Sequence, residues 1–349
     1  MIKSKLPQLL CVLVLAGVAV RCGSDGSSGS GGNPTGPTPS ASPVVSLGVT
    51  GETYFESTGR TLELTATATR ANGTQVPVTS QAQWESSRAD VASVTGGVVT
   101  SVAPGKARIT ATFEGISGAI DIGVPLVGGA NRMVRVVYAV PADIDFRDDY
   151  RRALRKAFVD LQWWYRDQLG GPVFTLHSTA PDECRLRNNA AYYPGNTYSK
   201  FVSDASLCLP VRTGAASFVW MLYGDLLDGC NTGGRLGVGS LGLAVLGRGD
   251  LQGLAGLPAD GPCGPLAPFG VGRYVGGAGH EMGHGFGLSH PPGCDANDPS
   301  CDRNALMWSG YSVYPSTYLR DDDKAKLAAS PYFGREIHKL WDVFGKPQE

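Results

Sequence analysis

The chain is short of histidine, methionine and charge. Its 349 residues include five histidines and five methionines, and only 17% are Asp, Glu, Lys or Arg. Thirty Lys plus Arg against 31 Asp plus Glu leave a net charge of −1, so no polyanion-binding face is written into the composition and nucleic acid is excluded as an expected partner. The longest apolar run, Leu9 to Val20, is too short to span a bilayer as a permanent helix. No Cys-x-x-Cys spacing occurs, which argues against a cysteine-built zinc site.

What is present begins with an address. Lys3 and Lys5 precede the apolar run, as in a secretory signal over residues 1–21. Residues 22–42 are a Gly/Ser/Pro tether that cannot build a core. A signal ending at a cysteine with a flexible tether behind it resembles the bacterial lipoproteins. That resemblance implies a lipid on Cys22, membrane contact through that lipid alone, and an outer-membrane or cell-surface location. Arg21 departs from the small residue usual before the lipidated cysteine; cleavage near Ala19 would release a secreted protein instead. Either route leaves the cytoplasm, where cysteines stay reduced.

Six further cysteines are therefore expected in disulfides: Cys184, Cys208, Cys230, Cys263, Cys294 and Cys301. Six allow fifteen pairings, among which sequence does not choose. Pairing in order, 184 with 208, 230 with 263 and 294 with 301, would close loops between expected strands and beside the histidines. The segment "CDANDPSCD" at 294–302 lacks the glycine and glutamate spacing of a calcium loop, so it is read as a short disulfide loop and calcium has no clear motif.

Residues 43–125 read as short strands. Leu62, Leu64, Ala66 and Ala68 alternate on one face, as do Ala107, Ile109, Ala111 and Phe113. Asn72-Gly73 and Pro104-Gly105 mark turns. The stretch from Trp84 to Thr112 ("WESSRADVASV…GVVTSVAPG…ITAT") resembles the bacterial Ig-like group 2 domain, which implies an all-β sandwich serving as a spacer or meeting a cell-surface partner. Trp84 is taken as core.

Residues 126–349 read as one α+β domain. Strands are expected at "MVRVVYAVP", "PVFTLH", "SFVWMLYG" and "LGLAVLGRG". A helix from about Phe146 to Leu169 presents Tyr150, Leu154, Phe158, Leu161 and Tyr165 on one face, with Arg151, Arg152, Arg155 and Lys156 solvated on the others. A last helix is expected over 321–329, with Asp321 to Asp323 at its positive end. Gly237-x-Gly239-x-x-Gly242 matches a dinucleotide fingerprint, but it precedes a strand-like run rather than a helix and is set aside.

Three of the five histidines fall within eleven positions, in "HEMGHGFGLSH" at 280–290. On a helix, residues four apart are turned by about 400°, so His280 and His284 leave the same face and can reach one metal ion at about 2.0–2.1 Å. Glu281 lies beside that ion, where it can accept a proton from water. A continued helix would put His290 about 240° around and about 9 Å along, out of reach. The helix must therefore break, and Gly287 is the residue that can take positive φ there. Three imidazoles with one open position make a catalytic zinc site rather than a closed structural one.

The full pattern, His-Glu-x-x-His-x-x-Gly-x-x-His, is the signature by which the chain resembles the metzincin metallopeptidases. A chance match would occur in on the order of one chain in 10⁵ of this composition. The resemblance implies a mixed twisted sheet, an active-site helix and a C-terminal helical subdomain. It also implies one catalytic Zn²⁺ on His280, His284 and His290, with Glu281 as general base in peptide hydrolysis. A methionine turn beneath the metal would be Met307, in "NALMWSGYSVYP". Some metzincins place a tyrosine two residues beyond that methionine to support the oxyanion; Ser309 stands there instead, leaving Tyr311 and Tyr314 nearby. A protein or peptide substrate would lie extended along an edge strand, expected at 241–247. Two alternatives remain: a surface adhesin whose metzincin-like domain is a zinc-stabilised scaffold, and zinc-dependent hydrolysis of a non-peptide bond.

Overall fold

Long apolar runs between polar turns organise the second half of the chain. The computed structural model describes residues 42–211, 217–227, 236–261, 264–265 and 269–334. Cys22, Cys230 and Cys263, expected as a lipid site and a disulfide, lie outside the described residues, as do the signal and nearly all of the tether.

Residues 44–124 form nine strands: β1 (Val44–Thr50), β2 (Thr61–Glu63), β3 (Thr65–Arg70), β4 (Gln75–Pro77), β5 (Gln83–Ser86), β6 (Ala92–Thr95), β7 (Val98–Ser101), β8 (Gly105–Phe113) and β9 (Ile116–Val124). They pair as three antiparallel sheets, β1-β3-β4, β2-β7-β6 and β5-β8-β9. Leu64, Ala66 and Ala68 are buried and Leu62 is half-buried, but they do not belong to one strand. The chain changes sheets at Leu64, because β2 pairs with β7 while β3 pairs with β1. Trp84 is half-buried between two apolar clusters and its indole N–H donates to the Thr79 carbonyl at 2.9 Å.

Among the described residues the larger sheet has five strands in the order β12-β10-β13-β15-β14, where β10 is Met133–Val140, β12 Asp182–Arg185, β13 Phe218–Gly224, β14 Val238–Ser240 and β15 Leu243–Leu246. The first four are parallel and β14 runs antiparallel at the edge. Parallel strands covered on both faces need apolar residues at nearly every position, which is why β13 and β15 read as unbroken hydrophobic runs and β10 is interrupted only by Arg135, whose guanidinium pairs with Asp182 of β12 at 2.7 Å. Alternate residues serve the two faces. Val134, Val136, Tyr138, Val219, Met221, Tyr223, Ala244 and Leu246 enter one core, and Val137, Ala139, Trp220, Leu222, Leu243 and Val245 enter the other.

The first core is covered by α1 (Asp148–Leu169), the short α3 (Arg248–Leu254) and α4 (Val271–Gly285); α2 (Thr197–Cys208) covers the second through Phe201 and Ala205. Helix α1 opens with Asp148 and Asp149, which oppose its positive end, and stops at Gly170 in the left-handed region at φ 69°. Its five expected core residues are buried, but so are Ala157, Val159, Gln162, Trp163 and Trp164. The second buried face meets the N-terminal strands: a Cβ at Gly123 of β9 would stand 2.7 Å from Val159. Fully buried Gln162 donates to the Leu126 and Phe174 carbonyls at 2.9 and 2.8 Å and accepts the Leu126 N–H at 2.9 Å. Residues 42–334 pack as part of one unit.

Several expectations are corrected. "PVFTLH" contributes β11 (Val173–Phe174), which pairs with Phe333–Gly334 outside the large sheet. Two strands of the large sheet lie outside the expected ones, β12, whose Asp-Glu-Cys-Arg has no apolar alternation, and the edge strand β14, and α2 is a further helix beyond those expected. Arg151 and Arg155 are not simply solvated: Arg151 pairs with Glu183 at 2.5 Å and Arg155 pairs with Glu56 of the N-terminal half. Beyond α4 there is no helical subdomain among the described residues, only a short 3₁₀ turn at Ser309–Val313 and the two-turn α5 (Asp321–Ala328), because "HPPGCDANDPSCD" favours turns. Among the described residues two disulfides are present, Cys184–Cys208 and Cys294–Cys301.

Candidate metal centre

Helix α4 carries His280, Glu281 and His284, and glycine decides how closely it can be approached. Gly272, Gly276, Gly279 and Gly283 form a stripe along one side. A Cβ at each would stand 2.5 Å from the Tyr314 carbonyl oxygen, 2.1 Å from that of Tyr311, 2.8 Å from Leu161 and 2.4 Å from the Met307 sulfur. At Gly285 it would meet Val219 of β13 at 2.5 Å. Each glycine weakens an isolated helix by about 1 kcal/mol relative to alanine. Here that loss is offset by close packing on α1, the sheet and the loop holding fully buried Met307.

The helix then stops in a Schellman turn. Gly287 sits at φ +93°, its N–H donates to the His284 carbonyl, and the Leu288 N–H donates to the Gly283 carbonyl, each at 2.9 Å. The reversed chain returns His290 to the ligand face of α4. The His290 ring centroid lies 4.9 Å from that of His284 and 5.5 Å from that of His280.

One ligand-competent nitrogen from each of the three histidines lies within 4.8 Å of the others. The outer nitrogens are all engaged: Nδ1 of His280 with the Leu306 carbonyl at 2.8 Å, Nδ1 of His284 with the Leu288 carbonyl at 2.9 Å, and Nδ1 of His290 with the Asp295 carboxylate at 2.7 Å. Carbonyl and carboxylate oxygens only accept, so each Nδ1 carries the proton and each Nε2 presents a lone pair. The Nε2 atoms of His280 and His284 are 3.1 Å apart. Two lone pairs facing at that distance repel unless a cation lies between them; tetrahedral donors at about 2.0–2.1 Å from zinc are about 3.3 Å apart. The donor set fits such an ion. Burial pushes the His280 ring down to about 4, opposed by its bond to Leu306, and also lowers His284, so both rings are neutral and available as ligands at neutral pH.

Glu281 is half-buried on the adjoining face. Desolvation first, and the charge of Asp250 second, push its carboxyl up to about 7, while a hydrogen bond from the Gly239 N–H and the charge of Arg273 oppose the rise. Gly239 is the middle residue of β14, and a Cβ there would stand 2.5 Å from the Glu281 carbonyl oxygen and 2.6 Å from the His284 Cβ. The Gly-rich segment set aside as a fingerprint thus brings an edge strand against α4. The segment 241–247 is not itself the edge, because Leu243 to Leu246 are buried between β13 and β14.

Of the two tyrosines, Tyr311 has its ring 5.4 Å from that of His280 and 5.3 Å from the Arg273 guanidinium. Tyr314 instead packs its ring 5.7 Å from Trp164 of α1, and burial raises its hydroxyl far above the tyrosine range. Two neighbours had no signal in sequence: Asp295, and Trp308, whose ring stands edge-on to His290 at 4.9 Å. Among the described residues, these histidines are the one grouping of three or more His, Cys, Asp or Glu side chains able to hold a metal.

No family model matches the chain, and no curated protein matches it. Solved structures similar to it include wild-type OgpA from Akkermansia muciniphila, with 21% identity and a TM-score of 0.41. Catalytically inactive OgpA in complex with an O-glycopeptide (glycodrosocin) substrate is similar at 18% identity and a TM-score of 0.39. In both, 60% of this chain is matched, and the match spans 63% of the other.

Proposed function

We propose that this chain is an exported zinc-dependent endopeptidase in which Glu281 is the general base. The observation that carries this reading is the convergence of three Nε2 lone pairs beside a partly desolvated carboxylate. His280, His284 and His290 would hold the ion. Zinc bound there supplies Lewis-acid polarisation of a carbonyl and acidifies water.

The chain's own residues account for the remainder. Glu281 takes a proton from the attacking water at its carboxylate, keeps it in a partly desolvated pocket, and returns it to the leaving amine nitrogen. The Gly239 N–H holds that carboxylate in place. Among the described residues β14 pairs only with β15, so its outer flank offers backbone groups to an extended peptide. This edge replaces 241–247 as the strand on which substrate adds. Tyr311, beside His280, is better placed than Tyr314 to support developing negative charge.

Export and a lipid on Cys22 are part of the same proposal, supported by the signal-like N-terminus and the tether. A palmitate analogue should label the wild type in cells and not Cys22→Ser; absence of label in both overturns lipidation. The activity is tested with full-length protein by elemental analysis and by cleavage of casein and a peptide panel, with and without chelator. The panel includes O-glycosylated peptides, since OgpA was solved with one. About one zinc per chain and chelator-sensitive cleavage are expected. Zinc uptake with no cleavage across the panel would overturn the enzyme reading in favour of a scaffold.

A further inference from the structure

We propose that Asp295 is the positioning residue for the third histidine, and that the Cys294–Cys301 disulfide is the mount that presents it. This rests on the zinc reading above and adds a determinant of metal affinity outside the ligand set.

The three histidines are not held alike. His280 and His284 share a helix, and their outer nitrogens meet backbone carbonyls. His290 lies beyond the Schellman turn on irregular chain, and its side chain is 30% exposed. Its outer nitrogen meets a carboxylate at 2.7 Å. A carboxylate can only accept this bond, which leaves the Nε2 lone pair directed at the ion, and its negative charge makes the imidazole a stronger donor.

Asp295 cannot be held by packing, because its side chain is 76% exposed. The order comes from the loop. Cys294 and Cys301 are both buried, so the disulfide pins the two ends of the segment into the protein. Within it the Asn297 N–H donates to the Cys294 carbonyl, the Asp298 N–H to the Gly293 carbonyl, and the Cys301 N–H to the Asp298 carbonyl, at 2.9–3.0 Å. The other carboxylates are engaged elsewhere: Asp298 accepts from the backbone N–H and hydroxyl of Ser300, and Asp302 from Tyr318 and Arg320. They do not converge on a second cation. Asp295 alone is turned towards the histidines.

The test is zinc affinity of the full chain, measured by competition with a chromophoric chelator, together with the visible spectrum of the cobalt-substituted protein. Asp295→Ala should weaken zinc by about 10-fold and alter the cobalt bands, with the thermal midpoint of the metal-free protein unchanged. Asp295→Asn keeps an accepting oxygen without the charge and should fall between the two. If the disulfide acts through Asp295, Cys294→Ser/Cys301→Ser should also weaken zinc, and adding Asp295→Ala to that pair should weaken it no further than Asp295→Ala alone. Wild-type affinity and spectrum in Asp295→Ala overturn this inference while leaving the zinc reading intact. Additive losses in the triple variant overturn the role of the disulfide. A wild type that takes up no zinc overturns both readings.

Discussion

The sulfur of Met307 lies against the backbone of Gly283 so closely that a Cβ added to Gly283 would stand 2.4 Å from it. Met307 is fully buried, so its flexible end has nowhere to retreat. Gly283→Ala should gain about 1 kcal/mol of helix propensity and lose more through overpacking, typically about 1–3 kcal/mol. A lower urea midpoint is expected, with weaker zinc retention because His280 and His284 flank the contact. A variant more stable than wild type would remove the packing explanation.

Gly277, on the same helix, is the control. A Cβ there meets only the Arg273 guanidinium, at an ordinary 3.6 Å. Gly277→Ala should therefore stabilise the protein by up to about 1 kcal/mol in the same denaturation assay. Equal destabilisation at both sites would mean that this helix needs glycine for some reason other than contact.

Glu281→Ala should keep one zinc per chain while peptide hydrolysis falls by at least about 10²-fold, the usual loss on removing a general base. His280→Ala and His290→Ala should lose metal affinity and activity together, since each removes one of three protein ligands. Metal content and casein cleavage measured on the same preparations separate the two classes. Wild-type cleavage by Glu281→Ala would take the glutamate out of the reaction.

Gln162→Leu should destabilise by about 1–3 kcal/mol, because it strands the Leu126 N–H and removes the amide donor from the Phe174 carbonyl where the N-terminal strands join the rest, while the Leu126 carbonyl keeps the Leu176 N–H at 3.1 Å. Chemical denaturation measures it. A change below about 0.5 kcal/mol, the range of ordinary surface substitutions, would show that water replaces the amide.

Asp323 supplies a pH dependence. It is 3% exposed, its Oδ2 has no hydrogen-bond partner, and burial followed by the charge of Asp322 raises its carboxyl above the usual range. A carboxyl raised on folding favours the protonated fold. Its contribution is thus complete below the unfolded value and is lost as pH rises through the folded one. Asp323→Asn should raise the thermal midpoint at neutral pH and narrow its advantage in acid. Parallel midpoints across pH 3–8 would rule out Asp323 as the source.

The sequence by itself determined whatever depends on near neighbours along the chain. Helical rotation puts His280 and His284 on one face whatever surrounds them, and a glycine is needed where the chain turns back before His290. Apolar runs marked β10, β13 and β15, interrupted only by Arg135, since a strand covered on both faces has few polar positions to spare. The cysteines stood outside this rule: sequence did not choose among their pairings, and the in-order expectation, made because it closes loops between strands and beside the histidines, is met at Cys184–Cys208 and Cys294–Cys301.

Tertiary structure decided what depends on partners far apart in sequence. Strand β12 has no apolar alternation and is a strand only because β10 offers it an edge. Periodicity finds apolar runs but cannot say which is outermost, so the edge lay in β14 rather than 241–247. The second buried face of α1 exists because β9 packs on it. Nothing local distinguishes Tyr311 from Tyr314 or marks Asp295 among its neighbouring acids. Their roles follow from where a Schellman turn and a disulfide loop bring backbone together, and such contacts leave no periodic trace in the sequence.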